Sequence, residues 1–154
     1  MRVVALFAAA LISTCSLAAA EAEEGTSIGS INTTWRLLGP DDKITITRYD
    51  DPKVSGASCY ISRAETGGIK GGLGLAEDPS RFSIACRATG PIKITGNLPK
   101  NGEVVFTDRA SILFKTIQIW RHVDTEKNVL IYTVTSTKLV NGSPYNAITA
   151  IPIN

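Results

Sequence analysis

The sequence predicts an all-β domain, either an antiparallel β-sandwich or a barrel-like sheet. Three observations predict it. Short runs rich in β-branched residues alternate apolar and polar with period two. Gly, Pro, Asn and Asp separate these runs in turn-forming combinations. No helix-period pattern of useful length follows residue 20.

The chain is 154 residues long, with a formal net charge of +2. Arg2, the unbroken apolar run over residues 3–12 and Ala18-Ala19-Ala20 have the form of an export signal, with Glu21 as the first mature residue. That run is too short to span a bilayer, which takes about 20 residues. Cys15 offers a second reading, a lipidated leader, although Thr14 stands where such signals carry Gly, Ala or Ser. No later segment is apolar enough to cross a membrane, so stable membrane insertion is not expected. Residues 21–154 are the right length for a single domain with its own core.

The elements run in order. Residues 21–25 are a polar lead-in. Residues 43–49, Lys-Ile-Thr-Ile-Thr-Arg-Tyr, alternate apolar and polar with period two and predict a strand with one buried and one wet face. Further strands are expected at 58–63, 82–87, 92–95, 103–106, 112–120, 129–138 and 145–153. Turns are expected at Gly39-Pro40-Asp41-Asp42, Asp50-Asp51-Pro52, Gly90-Pro91, Asn101-Gly102 and Asn141-Gly142-Ser143-Pro144. Residues 124–128 form a longer hairpin connection. Asp78-Pro79 resembles a helix cap followed by proline and predicts one helical turn over 77–81.

Without Arg2 the charge is near zero, and no basic stripe tracks a phosphate backbone. The aromatic residues do not alternate with Lys or Arg, so no nucleic acid partner is expected. Cys59 and Cys86 are the even pair that survives export, and in an oxidising compartment they read as one disulfide. The alternative is a redox pair, but such thiols usually sit two residues apart at a helix start. With a single His122, the cysteines do not complete a four-ligand metal set, so neither metal nor cofactor is expected.

Between the cysteines lies a glycine cluster, Thr66-Gly67-Gly68-Ile69-Lys70-Gly71-Gly72-Leu73-Gly74-Leu75-Ala76-Glu77-Asp78. Gly67, Gly68, Gly71, Gly72 and Gly74 would let successive N–H groups line one concavity, an arrangement that binds anions. Lys70 would add a positive charge there, and Arg63 a bidentate contact. The plainer reading is a long loop packed across the sheet or a bulged edge. The segment is not a Walker loop, because Lys70 is followed by Gly71 rather than Ser or Thr. Glu77 and Asp78 are read as turn caps rather than calcium ligands.

No catalytic constellation is legible. His122 follows Trp120-Arg121 on an expected strand, and no serine stands in a nucleophile-elbow sequence. The adjacent carboxylates at 41/42, 50/51 and 77/78 either point to opposite faces of a strand or cap turns.

Asp50-Asp51-Pro52, Cys59-Tyr60, Ser62-Arg63-Ala64, the glycine cluster through Asp78, Cys86 and Gly90-Pro91-Ile92 resemble the CreA family of exported bacterial proteins. Gly102-Glu103-Val104-Val105-Phe106, Phe114-Lys115, Gly142-Ser143-Pro144 and Asn146-Ala147-Ile148 extend the resemblance over nearly all of the mature chain. The resemblance implies a periplasmic location in a Gram-negative bacterium. It implies no mechanism and carries over no catalytic residues.

The sequence therefore leads to an exported, non-enzymatic binding or interaction module. Its expected site is Arg63, Lys70 and the backbone of residues 67–74, clamped by Cys59 and Cys86. The expected partner is a small anionic ligand or another envelope protein. The alternatives are an enzyme acting on an envelope component and a purely structural or stress-related envelope protein.

Overall fold

Alternation along the chain produces eight strands: β1 (Thr26–Thr34), β2 (Asp42–Asp50), β3 (Val54–Glu65), β4 (Phe82–Ile94), β5 (Glu103–Arg109), β6 (Thr116–Asp124), β7 (Val129–Val140) and β8 (Ser143–Pro152). The structure is a computed structural model that describes residues 25–69, 82–109, 116–140 and 143–153. Every pairing is antiparallel and sequential, giving two four-stranded meanders in the orders β1-β2-β3-β4 and β5-β6-β7-β8. The two sheets stay separate, so the fold is a sandwich and not a closed barrel.

Several boundaries differ from those expected. The strands expected at 82–87 and 92–95 merge into one strand, β4, that continues through Gly90-Pro91 and ends at Ile94. The dipeptide makes a bulge rather than a turn. The β3–β4 register jumps between Ser55 and Ala57, and Gly56 in the gap has φ +79°. A Cβ at Gly56 would lie 2.2 Å from the Pro91 carbonyl oxygen, so this close approach requires glycine. β1 was not expected at all, because Ser, Gly, Asn and Thr dominate it. It forms by pairing with β2, which is a tertiary effect overriding weak propensity. The strand expected at 112–120 is observed as β6 from Thr116, and residues 110–115 lie outside the described residues. So do Asn141-Gly142 and the helical turn expected at 77–81.

Other turns follow their chemistry. Asp51 Oδ1 accepts the Lys53 N–H at 2.8 Å, and the Asp51 carbonyl accepts Val54 N–H at 3.2 Å. Asp124 Oδ1 accepts the N–H groups of Glu126 and Lys127, each at 3.0 Å, and Asn128 takes φ 53° to close that hairpin. His122 packs over Gly102, where a Cβ would stand 2.3 Å from the ring.

The core lies between the sheets. Tyr49, Val54, Ala57, Cys59, Ile61, Ile84 and Cys86 face Phe106, Ile117, Ile119, Leu130, Tyr132, Val134 and Ile151. Cys59 and Cys86 stand directly opposite each other on β3 and β4 and are joined as a disulfide. The Tyr49 and Phe106 rings meet across the sheets at 5.3 Å. On β6 the buried positions are Ile117, Ile119 and then Arg121, a cation where the alternation calls for an apolar side chain.

Arg121 is only 1% exposed and is clasped by charge. Its Nη1 donates to both Asp51 oxygens at 2.5 and 2.6 Å, and its Nη2 donates to Glu103. Tyr132 donates its hydroxyl to Asp51 at 2.9 Å, and Lys53 donates to Glu103 at 2.7 and 2.9 Å. Burial, then the charge and hydrogen bond of Asp51, push the Tyr132 phenol well above its usual range. The Lys53 hydrogen bond is the largest cause holding the Glu103 carboxyl below its ordinary value. The β2–β3 turn of one sheet is thereby tied to β5, β6 and β7 of the other.

Candidate interaction site

β3 ends at Glu65, and the glycine cluster begins against the β1–β2 connection. The Gly67 N–H donates to Asp42 Oδ1 at 2.6 Å, and the Gly68 N–H donates to the Pro40 carbonyl at 2.6 Å. A Cβ on Gly67 would fall 2.0 Å from the Pro40 oxygen, so no other residue fits. Arg36 completes the latch. Its Nε and Nη2 each donate to the Asp42 carboxylate at 2.9 Å, and its N–H donates to Asp41 Oδ1 at 2.8 Å. Asn32 Nδ2 donates to the other Asp41 oxygen at 3.2 Å. The Gly67 N–H, and after it the Arg36 hydrogen bond, hold the Asp42 carboxyl below its usual value.

This latch carries an apolar surface. Trp35, Leu37 and Leu38 are 75%, 80% and 70% exposed, and Ile69, whose backbone nitrogen lies against Gly39 at the end of that run, is 62% exposed. Arg36, alone in that run, turns back to bind Asp42.

The expected anion contacts stand differently. Gly67 and Gly68 spend their N–H groups on acceptors within the chain, one of them a carboxylate. Arg63 donates to Glu65 at 2.9 Å and lies 3.4 Å from Asp108, which also accepts the Tyr49 hydroxyl at 2.8 Å. Burial works to lower the Arg63 value, but the Glu65 hydrogen bond and the charges of Asp108 and Glu65 outweigh it and raise it. Burial likewise pushes Glu65 up, and is outweighed by Arg63, Thr45 and Lys43, which hold it low. Burial, then Asp108, pushes the Tyr49 phenol well above its usual range. Lys70, Gly71, Gly72 and Gly74 lie outside the described residues, as do Glu77 and Asp78.

A cavity of about 500 Å³ opens on the outer face of the first sheet, near the seam of β4 and β8. Ile44, Ala64, Phe82 and Tyr145 line it together with Ser62, Ser83 and Asn146, and the two serine hydroxyls are 2.8 Å apart. Among the described residues its lining holds no charged side chain. Among the described residues no cluster of His, Cys, Asp and Glu is placed to hold a metal ion.

A family model described as CreA protein matches residues 28–154. The chain belongs to the CreA family. It is similar to Protein CreA of Escherichia coli strain K12, with 49% identity over 137 residues, covering 87% of this chain and 85% of the relative. Protein CreA of Escherichia coli O157:H7 matches to the same extent. No solved structure matches the chain.

In this CreA-family chain, sequence reasoning found the glycine segment but missed what it rests on. Asp41 and Asp42 read only as turn residues, and Arg36 and Trp35 were passed over. A signal was present: Trp-Arg-Leu-Leu runs directly into Gly-Pro without alternation, which neither a strand nor an ordinary polar turn explains.

The lowered value at Asp42 predicts an acid response of the latch. A carboxylate whose folded pKa is depressed stabilises the fold above the unfolded value and loses that contribution as pH falls through the folded one. The latch is therefore expected to hold through neutral pH and to loosen only below the ordinary carboxylate range, about 4. Hydrogen exchange at the Gly67 amide, corrected for intrinsic rates, should accelerate there. Asp42→Asn should remove the acid step; a step that survives the substitution would place its origin elsewhere.

Proposed function

We propose that this chain is an exported, periplasmic interaction module without catalytic activity, and that it binds another envelope protein through Trp35, Leu37, Leu38 and Ile69. The observation that carries this reading is the exposure of four large apolar side chains on a backbone held by Arg36, Asp42 and Gly67. Isolated surface apolar residues need no explanation, but a cluster of this kind marks a contact surface. Its rim is polar and of mixed sign: Arg36 and Lys43 stand against Asp41, Asp42 and Glu65. An apolar centre with a mixed polar rim suits a protein surface, whereas an anionic membrane calls for a basic rim. The signal-like leader supports export, and the Cys59–Cys86 disulfide suits an oxidising compartment. Binding is favoured over catalysis because the cavity's described lining brings no carboxylate, histidine or thiol together.

The test is periplasmic photo-crosslinking from position 37, compared between the native chain and Leu38→Asp. The native chain should give one or a few discrete protein adducts. Leu38→Asp should reduce them at least about tenfold, since an anchor residue is worth more than 1–2 kcal/mol, while thermal stability stays within about 0.5 kcal/mol. Adducts with lipid instead of protein, or adducts indifferent to Leu38→Asp, would refute the reading.

A further inference from the structure

Each sheet has two edges, and the four edge strands are β1, β4, β5 and β8. Three of them are managed. β4 and β8 lie against each other, with the Cys86 N–H donating to Thr149 Oγ1 at 3.2 Å. β5 carries Glu103 and Asp108, both held in ion pairs with the other sheet. β1 differs from all three. It is nine residues long, contains no charge and no proline, and every residue in it is exposed. Among the described residues it pairs with β2 alone. Ile28 and Ile31 are 51% and 59% exposed on it. Natural edges of this length are normally blunted by charge, proline or cover, because an open row of N–H and C=O groups recruits another strand.

We propose that β1 pairs antiparallel with β1 of a second copy, joining the two first sheets into one continuous eight-stranded sheet about a two-fold axis. Register and charge favour a second copy as the occupant. Bulges at Ser27/Gly29 and Asn32/Thr34 leave residues 29–32 regular. An axis normal to the sheet keeps the same face up in both copies, so opposed residues must share a face. Centring the axis on Ile31 satisfies this. It sets Ile31 against the second copy's Ile31 on the outer face, where Ile31 already neighbours Ile44. Ser30 and Asn32 then oppose each other, a polar pair on the inner face. An uncharged strand meets its own copy without like-charge repulsion, which is why this edge is self-complementary. The arrangement stands independently of the proposed envelope partner. It would display the two Trp35 clusters roughly 25–30 Å apart at a rise of about 3.3 Å per residue, so that a partner with two sites is held by avidity.

The experiment is sedimentation equilibrium of the purified protein, with far-ultraviolet circular dichroism to confirm folding. The native chain should be a dimer. Ile31→Lys should weaken self-association about a hundredfold or more, because two ammonium groups are brought face to face at the axis, while Leu38→Asp should leave the dimer intact. Ile31→Cys should give a disulfide-linked dimer on mild oxidation, and this readout holds even if the lysine variant folds poorly. A native chain that is monomeric at all concentrations, or a dimer lost in Leu38→Asp and kept in Ile31→Lys, would overturn the proposal.

Discussion

Arg121→Met should destabilise the protein by about 3–5 kcal/mol in urea unfolding. The substitution keeps most of the volume, so cavity formation contributes little. The loss comes from Asp51, whose side chain is 2% exposed and which receives both oxygen contacts from Arg121. Without the guanidinium, a carboxylate is left in the core with only Tyr132 and one backbone N–H as donors. Domains of this size have only about 5–15 kcal/mol to lose. The double substitution Arg121→Met/Asp51→Leu should recover much of the deficit, because an apolar pair of similar volume often matches a buried ion pair. Glu103 should suffer less, since it is 31% exposed and keeps Lys53 at 2.7 Å. If Arg121→Met costs less than about 1 kcal/mol, the clasp is not what joins the sheets.

Removing the disulfide as Cys59→Ala/Cys86→Ala should cost roughly 3–4 kcal/mol. That figure follows from closing a loop of 27 residues in the unfolded chain. The enclosed loop contains the whole glycine cluster, the segment least able to hold itself by side-chain packing. The two cysteines already face each other in the β3–β4 ladder, so the bond adds to a register that Ile61↔Ile84 and its neighbours also specify. The double variant should therefore keep the native circular dichroism and lose its stability mainly through the unfolded state. Equal midpoints for the native chain with and without reductant, after thiol titration confirms reduction, would show that the ladder alone holds the register.

How much was legible varies from residue to residue. β2 was readable as a strand because Lys43-Ile44-Thr45-Ile46-Thr47 alternates, but its burial was not: residues 42–48 are all half-buried, and it is Tyr49 that enters the core. The 124–128 hairpin was readable because Asp124 caps it locally. β1 was not, because its residues have little strand preference and depend on β2 for order. Gly90-Pro91 misled, because the same dipeptide serves a turn or a bulge, and only Gly56 on the facing strand decides between them. At the site, glycine density marked Gly67 and Gly68 correctly as positions with a backbone role. It could not say that their N–H groups would meet Pro40 and Asp42 rather than an external anion. Arg63 was singled out as an anion contact; in the structure its two carboxylate neighbours arrive from Glu65 and from a strand of the other sheet.

By itself the amino-acid order determined the all-β class, most strand positions, the hairpin turns and the pair of cysteines available for cross-linking. These are local properties: period-two alternation, turn chemistry and composition act over a few residues. Only the tertiary structure decided that the sheets remain two, that Arg121 meets Asp51 from 70 residues away, and that Trp35, Leu37 and Leu38 stand in solvent. The first two outcomes depend on how one sheet lies on the other, and the third on the latch of Arg36, Asp42 and Gly67. Stacking of that kind matches charge and shape between segments remote in the chain, and no local pattern encodes it.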